Sequence, residues 1–403
     1  MRVPKWLNRN VTGLTITSFC ADVGYEMVTA VLPGFLNTIG VAAAALGWIE
    51  GAADALASFV KLGAGWYSDR IGHRKGIVAF GYFLSGTALA LFALAVSWPL
   101  VLAGRMIAWF GKGIRGPLRD AMLAESVDAE TRGRAFGLHR AGDTMGAVLG
   151  PLIGVALLGM LPAPMPDAPF RGVFLFSLVP GIVAVASILI LVRETRRPPD
   201  RHLRLWISVR NLPKPYLRFL TGVGLFGAGD FSHTLLVLGA AQLLEPHLGM
   251  VRAAQAGALL YVVRNGLYAA ASFPVGLVAD RMDKQRLLAA GYVAGALTSF
   301  AVAVVFAWNI SGPVWLALLF GAAGVYIAME DALEGAIPAD LVPLESRGTA
   351  YGLMGSVNGV GDLVASVLVG TLWTAVSPAA GFIAAGILMA SGAVLVLWNR
   401  SRL

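Results

Sequence analysis

Asp22 and Glu26 stand four residues apart inside an apolar run, and Glu50 and Asp54 repeat that spacing in the next run. On a helix, residues four apart share a face. Two like charges one turn apart repel, and the repulsion is relieved when one of them holds a proton. Such a pair can load a proton on one side of a barrier and release it on the other. Further ionisable groups break later apolar runs: Arg105; His139, Arg140 and Asp143; Asp230 and His233; Arg264 beside Asn265; and Asp362. Each costs about 2.5–3.5 kcal/mol at the centre of a lipid slab, so such residues face water, pair, or carry function. Asp22 and Glu26 are the preferred proton or cation site, with Arg105 biasing their ionisation or holding an anionic group. A second chemistry uses the same atoms: Asp22, Glu26 and His233 offer oxygen and imidazole donors suited to a divalent metal.

The elements that carry these residues are read from hydropathy. The chain is 57% hydrophobic and only 13% charged, against a charged fraction of about 25% in soluble domains. A span needs about 20 mostly apolar residues. Twelve such stretches are expected near 11–38, 43–67, 76–96, 99–114, 135–161, 173–192, 217–244, 253–279, 287–307, 314–336, 350–375 and 381–398. They must be helices, because an open strand leaves backbone groups unpaired in lipid. The expected class is an all-α membrane protein in two six-helix bundles, 1–192 and 217–403, joined by a basic, proline-bearing linker at 193–216. Within that linker, 203–209 has the pattern of a short surface helix.

The net charge of +8 is spread over short segments between spans, a topological pattern and not a nucleic-acid surface. One set of loops carries Arg2, Lys5, Arg70, Arg74, Lys75, Arg281, Lys284 and Arg400, the other only Arg171 and Arg252. Both termini are therefore expected in the cytoplasm. The lone Cys20 forms no internal disulfide. No phosphate-cradling loop, zinc-spaced cysteine set or nucleophile elbow is present, so neither nucleotide hydrolysis nor another enzymatic activity is expected.

Two segments occur twice. Val127 to Gly137 is echoed by Val342 to Gly352, with an Arg-Gly pair in each copy. The loop Gly65, Asp69, Arg70, Gly72, Arg74 and Lys75 is echoed by Gly276, Asp280, Arg281 and Lys284. Parallel repeats about an axis normal to the membrane place a substrate site near mid-depth. Together these features resemble the major facilitator superfamily across essentially the whole chain. In that family the loop steadies the outward-facing state. Gly146, Gly150, Pro151 and Gly154 are similar to the family's antiporter motif, which is associated with exporters. Arg105 stands where drug–proton antiporters carry a membrane arginine, although Ala108 and Trp109 replace the glutamine-glycine that follows it there. Gly111 to Arg115, with Arg119 and Asp120, resembles a poorly characterised prokaryotic branch.

The resemblance implies a secondary active transporter working by alternating access in the inner membrane. The expectation is a proton-coupled exporter of a small amphipathic compound or metabolite. It needs no cofactor beyond a proton gradient, no nucleic acid, and no second copy of itself. The alternatives are a transporter of a metal ion or metal chelate, and a receptor or scaffold that moves nothing. A further expectation concerns charge at two helix ends: aligning the Arg-Gly repeats sets Lys112, Arg115 and Arg119 against Glu330, Asp331 and Glu334, as the opposed sides of a cytoplasmic gate.

Overall fold

The computed structural model describes residues 6–71, 73–128, 131–194, 212–279, 281–343 and 347–400. Among them the regular structure is helical. Helices α1 (Arg9–Thr38), α2 (Ala43–Ile71) and α3 (Lys75–Thr87) come first, and α3 runs on as a 3-10 helix over Ala88–Leu94. Next are α4 (Trp98–Glu125), α5 (Arg132–Met160), α6 (Ala168–Phe176) and α7 (Leu178–Leu191). The second half holds α8 (Lys214–Gly227), α9 (His233–Leu248), α10 (Met250–Ala279), α11 (Lys284–Ala307), α12 (Pro313–Leu341), α13 (Arg347–Ala375) and α14 (Pro378–Arg400). The expected surface helix at 203–209 lies outside the described residues.

Ten helical stretches among the described residues are long and apolar enough to cross a bilayer, α6 and α7 counting together as one. Helix α4, with Arg105, Lys112, Arg115, Arg119 and Asp120, and the interrupted pair α8–α9 complete the twelve crossings. This is an all-α membrane fold.

Three spans differ from the sequence reading. The fourth does not stop near residue 114; α4 continues to Glu125 and buries Arg115 and Arg119 inside the helix. Charge looked like a membrane boundary there, but these guanidiniums have partners on neighbouring helices. The seventh span is not one helix. It breaks over 228–232, where Gly227 and Gly229 are weak helix formers and Ser232 caps α9 by accepting from Thr234 N–H. The freed backbone is satisfied locally: Asp230 N–H donates to Phe226 and Gly227 carbonyls, and Ser232 N–H to Ser366 Oγ at 3.0 Å. The sixth span is divided at Ser177, whose hydroxyl donates back to Phe174 O at 2.7 Å.

The chain forms two compact units. One comprises 1–32 with 56–203, the other 33–55 with 204–403. In the first, α3 lies against α4 and α7, around a core that includes Val11, Leu14, Val78, Tyr82, Leu118, Met122 and Ile188. In the second, α11 packs on α14 and α10 on α12. The segment 33–55 is fixed within that second unit. Asn37 donates to Glu245 Oε2 at 2.7 Å, Ala44 N–H to Thr374 Oγ1 at 3.0 Å, and Gly47 and Gly51 lie against the α13 backbone at Ser366 and Leu363.

Candidate functional site

In the first unit the polar centre is built by α1, α3, α4 and α5. Arg115 Nη2 lies 3.6 Å from Asp22 Oδ1, and the same guanidinium sits 4.3 Å from the centroid of the Tyr82 ring. One turn along α4, Arg119 Nη1 donates to Ser18 Oγ at 3.0 Å and its Nη2 lies 2.9 Å from Asp120. Ser18 Oγ also meets Tyr82 OH at 2.8 Å and His139 Nε2 at 3.0 Å. The other ring nitrogen, Nδ1, faces Asp143 Oδ2 at 3.4 Å, and Arg140 reaches that oxygen at 3.7 Å. Higher on α4, Arg105 is fully buried. It stacks 3.6 Å over the Trp109 ring and donates to Thr29 Oγ1. Lys112 Nζ lies 4.2 Å from the Tyr25 ring centroid and 4.8 Å from that of Trp109. Aromatic faces recover part of the hydration that buried cations lose.

Asp22 and Glu26 do share a face, and that face meets α5. A Cβ on Gly146 would lie 2.9 Å from Asp22 Cβ, and one on Gly150 would lie 2.6 Å from Val23 O and 3.0 Å from Glu26 Cβ. The glycines expected from spacing alone to permit close approach thus seat α5 directly behind the two carboxylates. Glu26 is buried and Asp22 about one-fifth exposed.

The second unit has its own polar centre. Asp230, in the break between α8 and α9, accepts from Tyr326 OH at 3.0 Å. Glu334 is buried; it accepts from Tyr292 OH and from Asn358 Nδ2 at 2.7 Å. Tyr292 stacks on Phe226 with centroids 3.7 Å apart. Asp331 is exposed and accepts from Tyr268 OH. Glu330 Oε2 is a buried oxygen with no hydrogen-bond partner among the described residues. Arg264 donates to Asn265 Oδ1 at 2.9 Å, and His233 stacks on Tyr261 at 4.7 Å. Glu50 is buried and Asp54 half-buried. Among the described residues, no three His, Cys, Asp or Glu side chains gather as a metal-holding group.

The repeated loops are held by carboxylates. Glu194 accepts from the Arg74 and Lys75 backbone N–H groups, both at 3.0 Å, at the start of α3. Arg74 pairs with Glu125, and Lys75 Nζ donates to Leu189 O. In the second copy Asp283 caps α11 through Arg286 N–H at 2.9 Å and pairs with Arg400, while Lys284 pairs with Asp340. Gly72, Asp280 and the side chains of Asp69 and Arg70 lie outside the described residues, as does everything about Gly65 beyond its place in α2; Arg281 is exposed.

Ser18, Thr29, Tyr82, Tyr292, Tyr326 and Asn358 were not singled out by the sequence reading. Neutral hydroxyls and amides hardly dent a hydropathy profile. A signal was present nonetheless: Gly81-Tyr82 and Gly291-Tyr292 recur near the start of the third and ninth spans. The alignment that sets Gly133 on Gly348 sets Arg119 on Glu334 and Asp143 on Asn358. Equivalent positions thus hold a buried polar group beside a tyrosine in both units, with opposite charge on the fourth and tenth spans.

Residues 14–264 and 235–402 each match the profile of the Major Facilitator Superfamily. The chain belongs to this superfamily. An uncharacterized MFS-type transporter of Methanocaldococcus jannaschii is 30% identical over 395 residues, covering 97% of this chain and 95% of that protein. A methylenomycin A resistance protein of Bacillus subtilis is 28% identical over 269 residues, 64% of this chain and 55% of that protein. A solved POT family transporter in complex with 5-aminolevulinic acid superposes with a TM-score of 0.78 at 11% identity, covering 98% of this chain and 96% of that one. At that identity the likeness shows the fold alone.

Proposed function

We propose that this superfamily member is a proton-coupled exporter, exchanging protons for a small amphipathic compound or metabolite by alternating access. The observation that carries the reading is the Asp22–Arg115 pair with Glu26 one turn away, on the face of α1 that α5 backs with Gly146 and Gly150. Ionisable groups placed this far from either helix end are costly unless they do work. A carboxylate that exchanges its arginine partner for a proton does such work. The resistance protein of Bacillus subtilis supports the outward direction. A proton entering down the membrane potential supplies about 2.3 kcal/mol per 100 mV. In this reading the chain acts as a monomer in the inner membrane with both termini cytoplasmic.

The test is flux in proteoliposomes under an imposed pH gradient, with a panel of amphipathic compounds. Transport that a protonophore abolishes, and that Glu26→Gln or Asp22→Asn removes while folding is retained, supports the proposal. Flux of the same size with and without the gradient refutes the coupling. Catalysed flux of no compound leaves a receptor or scaffold.

A further inference from the structure

The first unit contains a buried hydrogen-bond chain with two complete arrangements that differ by one proton. It runs from Asp143 through His139 and Ser18 to Tyr82, and His139 is 1% exposed. A carboxylate only accepts, so the neutral imidazole carries its hydrogen on Nδ1 toward Asp143 and presents a lone pair at Nε2. Ser18 Oγ has one hydrogen and two lone pairs. Arg119 only donates and fills one lone pair. The Ser18 hydrogen must then point to His139 Nε2, and Tyr82 OH donates to the remaining lone pair. The Ser18 hydroxyl, the His139 Nε2 lone pair and the Tyr82 hydrogen are then all used.

Adding a proton at Nε2 converts that nitrogen to a donor. Ser18 accepts from it, Arg119 keeps its place, and the Ser18 hydrogen has one acceptor left, the Tyr82 oxygen. The Tyr82 hydrogen must turn away from Ser18. The new charge lies against Asp143, whose Oδ1 is buried with no hydrogen-bond partner among the described residues and so has acceptor capacity to spare.

We infer that His139 is a proton-binding site, and that a proton taken up there reverses the Ser18 hydroxyl and releases the Tyr82 hydrogen beneath Arg115. The charged and titratable groups of the cluster around Asp22, Arg119 and Asp143, into which His139 is bonded, are Asp22 on α1, with Glu26 one turn further; Tyr82 on α3; Lys112, Arg115, Arg119 and Asp120 on α4; and Arg140 and Asp143 on α5. Tyr82 carries the signal because its ring lies under the guanidinium that pairs with Asp22. The inference rests on the proton-coupled reading only for its part in transport.

The test uses the full chain in lipid nanodiscs and needs no transported compound. Histidine is labelled with nitrogen-15, and the resonance missing from His139→Gln is followed from about pH 4 to pH 9. If that variant does not fold, the resonance is assigned by elimination from single replacements of the other four histidines. Infrared difference spectra over the same range report the Tyr82 hydroxyl as the component lost in Tyr82→Phe. The expected result is a His139 ring with Nδ1 alone protonated at the alkaline end and both nitrogens protonated at the acid end, with a Tyr82 component appearing over the same interval. In Ser18→Ala the ring still titrates and the Tyr82 component disappears. A single tautomer across the whole range overturns the site. A Tyr82 component unchanged in Ser18→Ala overturns the relay. Either failure leaves gradient-driven flux untouched, and loss of that coupling in a protein whose His139 titrates refutes the transport reading alone.

Discussion

Arg115 and Asp22 show how a charge survives inside this molecule. The guanidinium is buried, faces one carboxylate oxygen at 3.6 Å and rests on the Tyr82 ring. Removing one member of a buried pair costs about 3–5 kcal/mol, whereas removing both costs far less. Arg115→Gln and Asp22→Asn are therefore each expected to lower the thermal unfolding midpoint in detergent, since each removes one member of the pair and leaves the other's charge in place. The double replacement should recover part of the loss. A double variant as unstable as the two single losses added would show that the two side chains do not interact. None of this pairing is visible from the residue types alone. The carboxylates of α1 stood out because acids are rare in apolar runs, but their partner did not: Arg105 and Arg140 also interrupt apolar runs, and only the extension of α4 to Glu125 brings Arg115 into place.

Helix-scale packing accounts for most of what could be read in advance. Apolar runs marked the spans because backbone groups in lipid must pair within their own segment. The glycine spacing on α5 marked a close helix contact for the same kind of reason: a missing side chain has only a few uses. Gly150→Ala places a methyl 2.6 Å from Val23 O, a backbone atom that cannot swing aside. It should destabilise the protein by about 1–3 kcal/mol. Gly137→Ala, on the same helix with nothing within 4 Å of its Cβ, is the control that should hold the midpoint or raise it slightly. Equal effects from the two would mean that α5 does not press on α1. Helix starts give a second case. Burial opposes ionisation of Asp283, but the Arg286 N–H and the Arg400 guanidinium outweigh it and hold the carboxyl below its ordinary value. A lowered folded-state value means that the stabilisation is present above the unfolded carboxylate's pKa of about 3.9 and is lost as pH falls through the folded value. Asp283→Ala should thus cost about 1 kcal/mol at neutral pH and little in strong acid. A cost independent of pH would assign the effect to something other than the ionised cap. What helix-scale reading missed was interruption. The break at 228–232 lies inside a run that hydropathy treats as uniform, since glycine, alanine and phenylalanine are all tolerated in lipid. The Gly227 and Gly229 positions and the Ser232 cap are what end the ladder there.

At the scale of the whole chain, residues 33–55 belong to the same compact unit as 204–403, held by Asn37 on Glu245 and by Gly47 and Gly51 on α13. Asn37→Asp would set a second carboxylate against Glu245 where a hydrogen bond of 2.7 Å now stands. The unfolding midpoint should fall at neutral pH and recover as either acid is protonated; an unaltered midpoint would show that this contact contributes nothing. The duplicated plan was legible as repeated Arg-Gly and loop segments, yet the alignment also revealed what the copies no longer share. Where one half sets Arg119 and Asp143 in its polar centre, the other sets Glu334 and Asn358. A gene carrying the first half twice would therefore encode two centres built around guanidinium and none built around Glu334. The two halves thus follow one plan and differ in charge at positions that correspond.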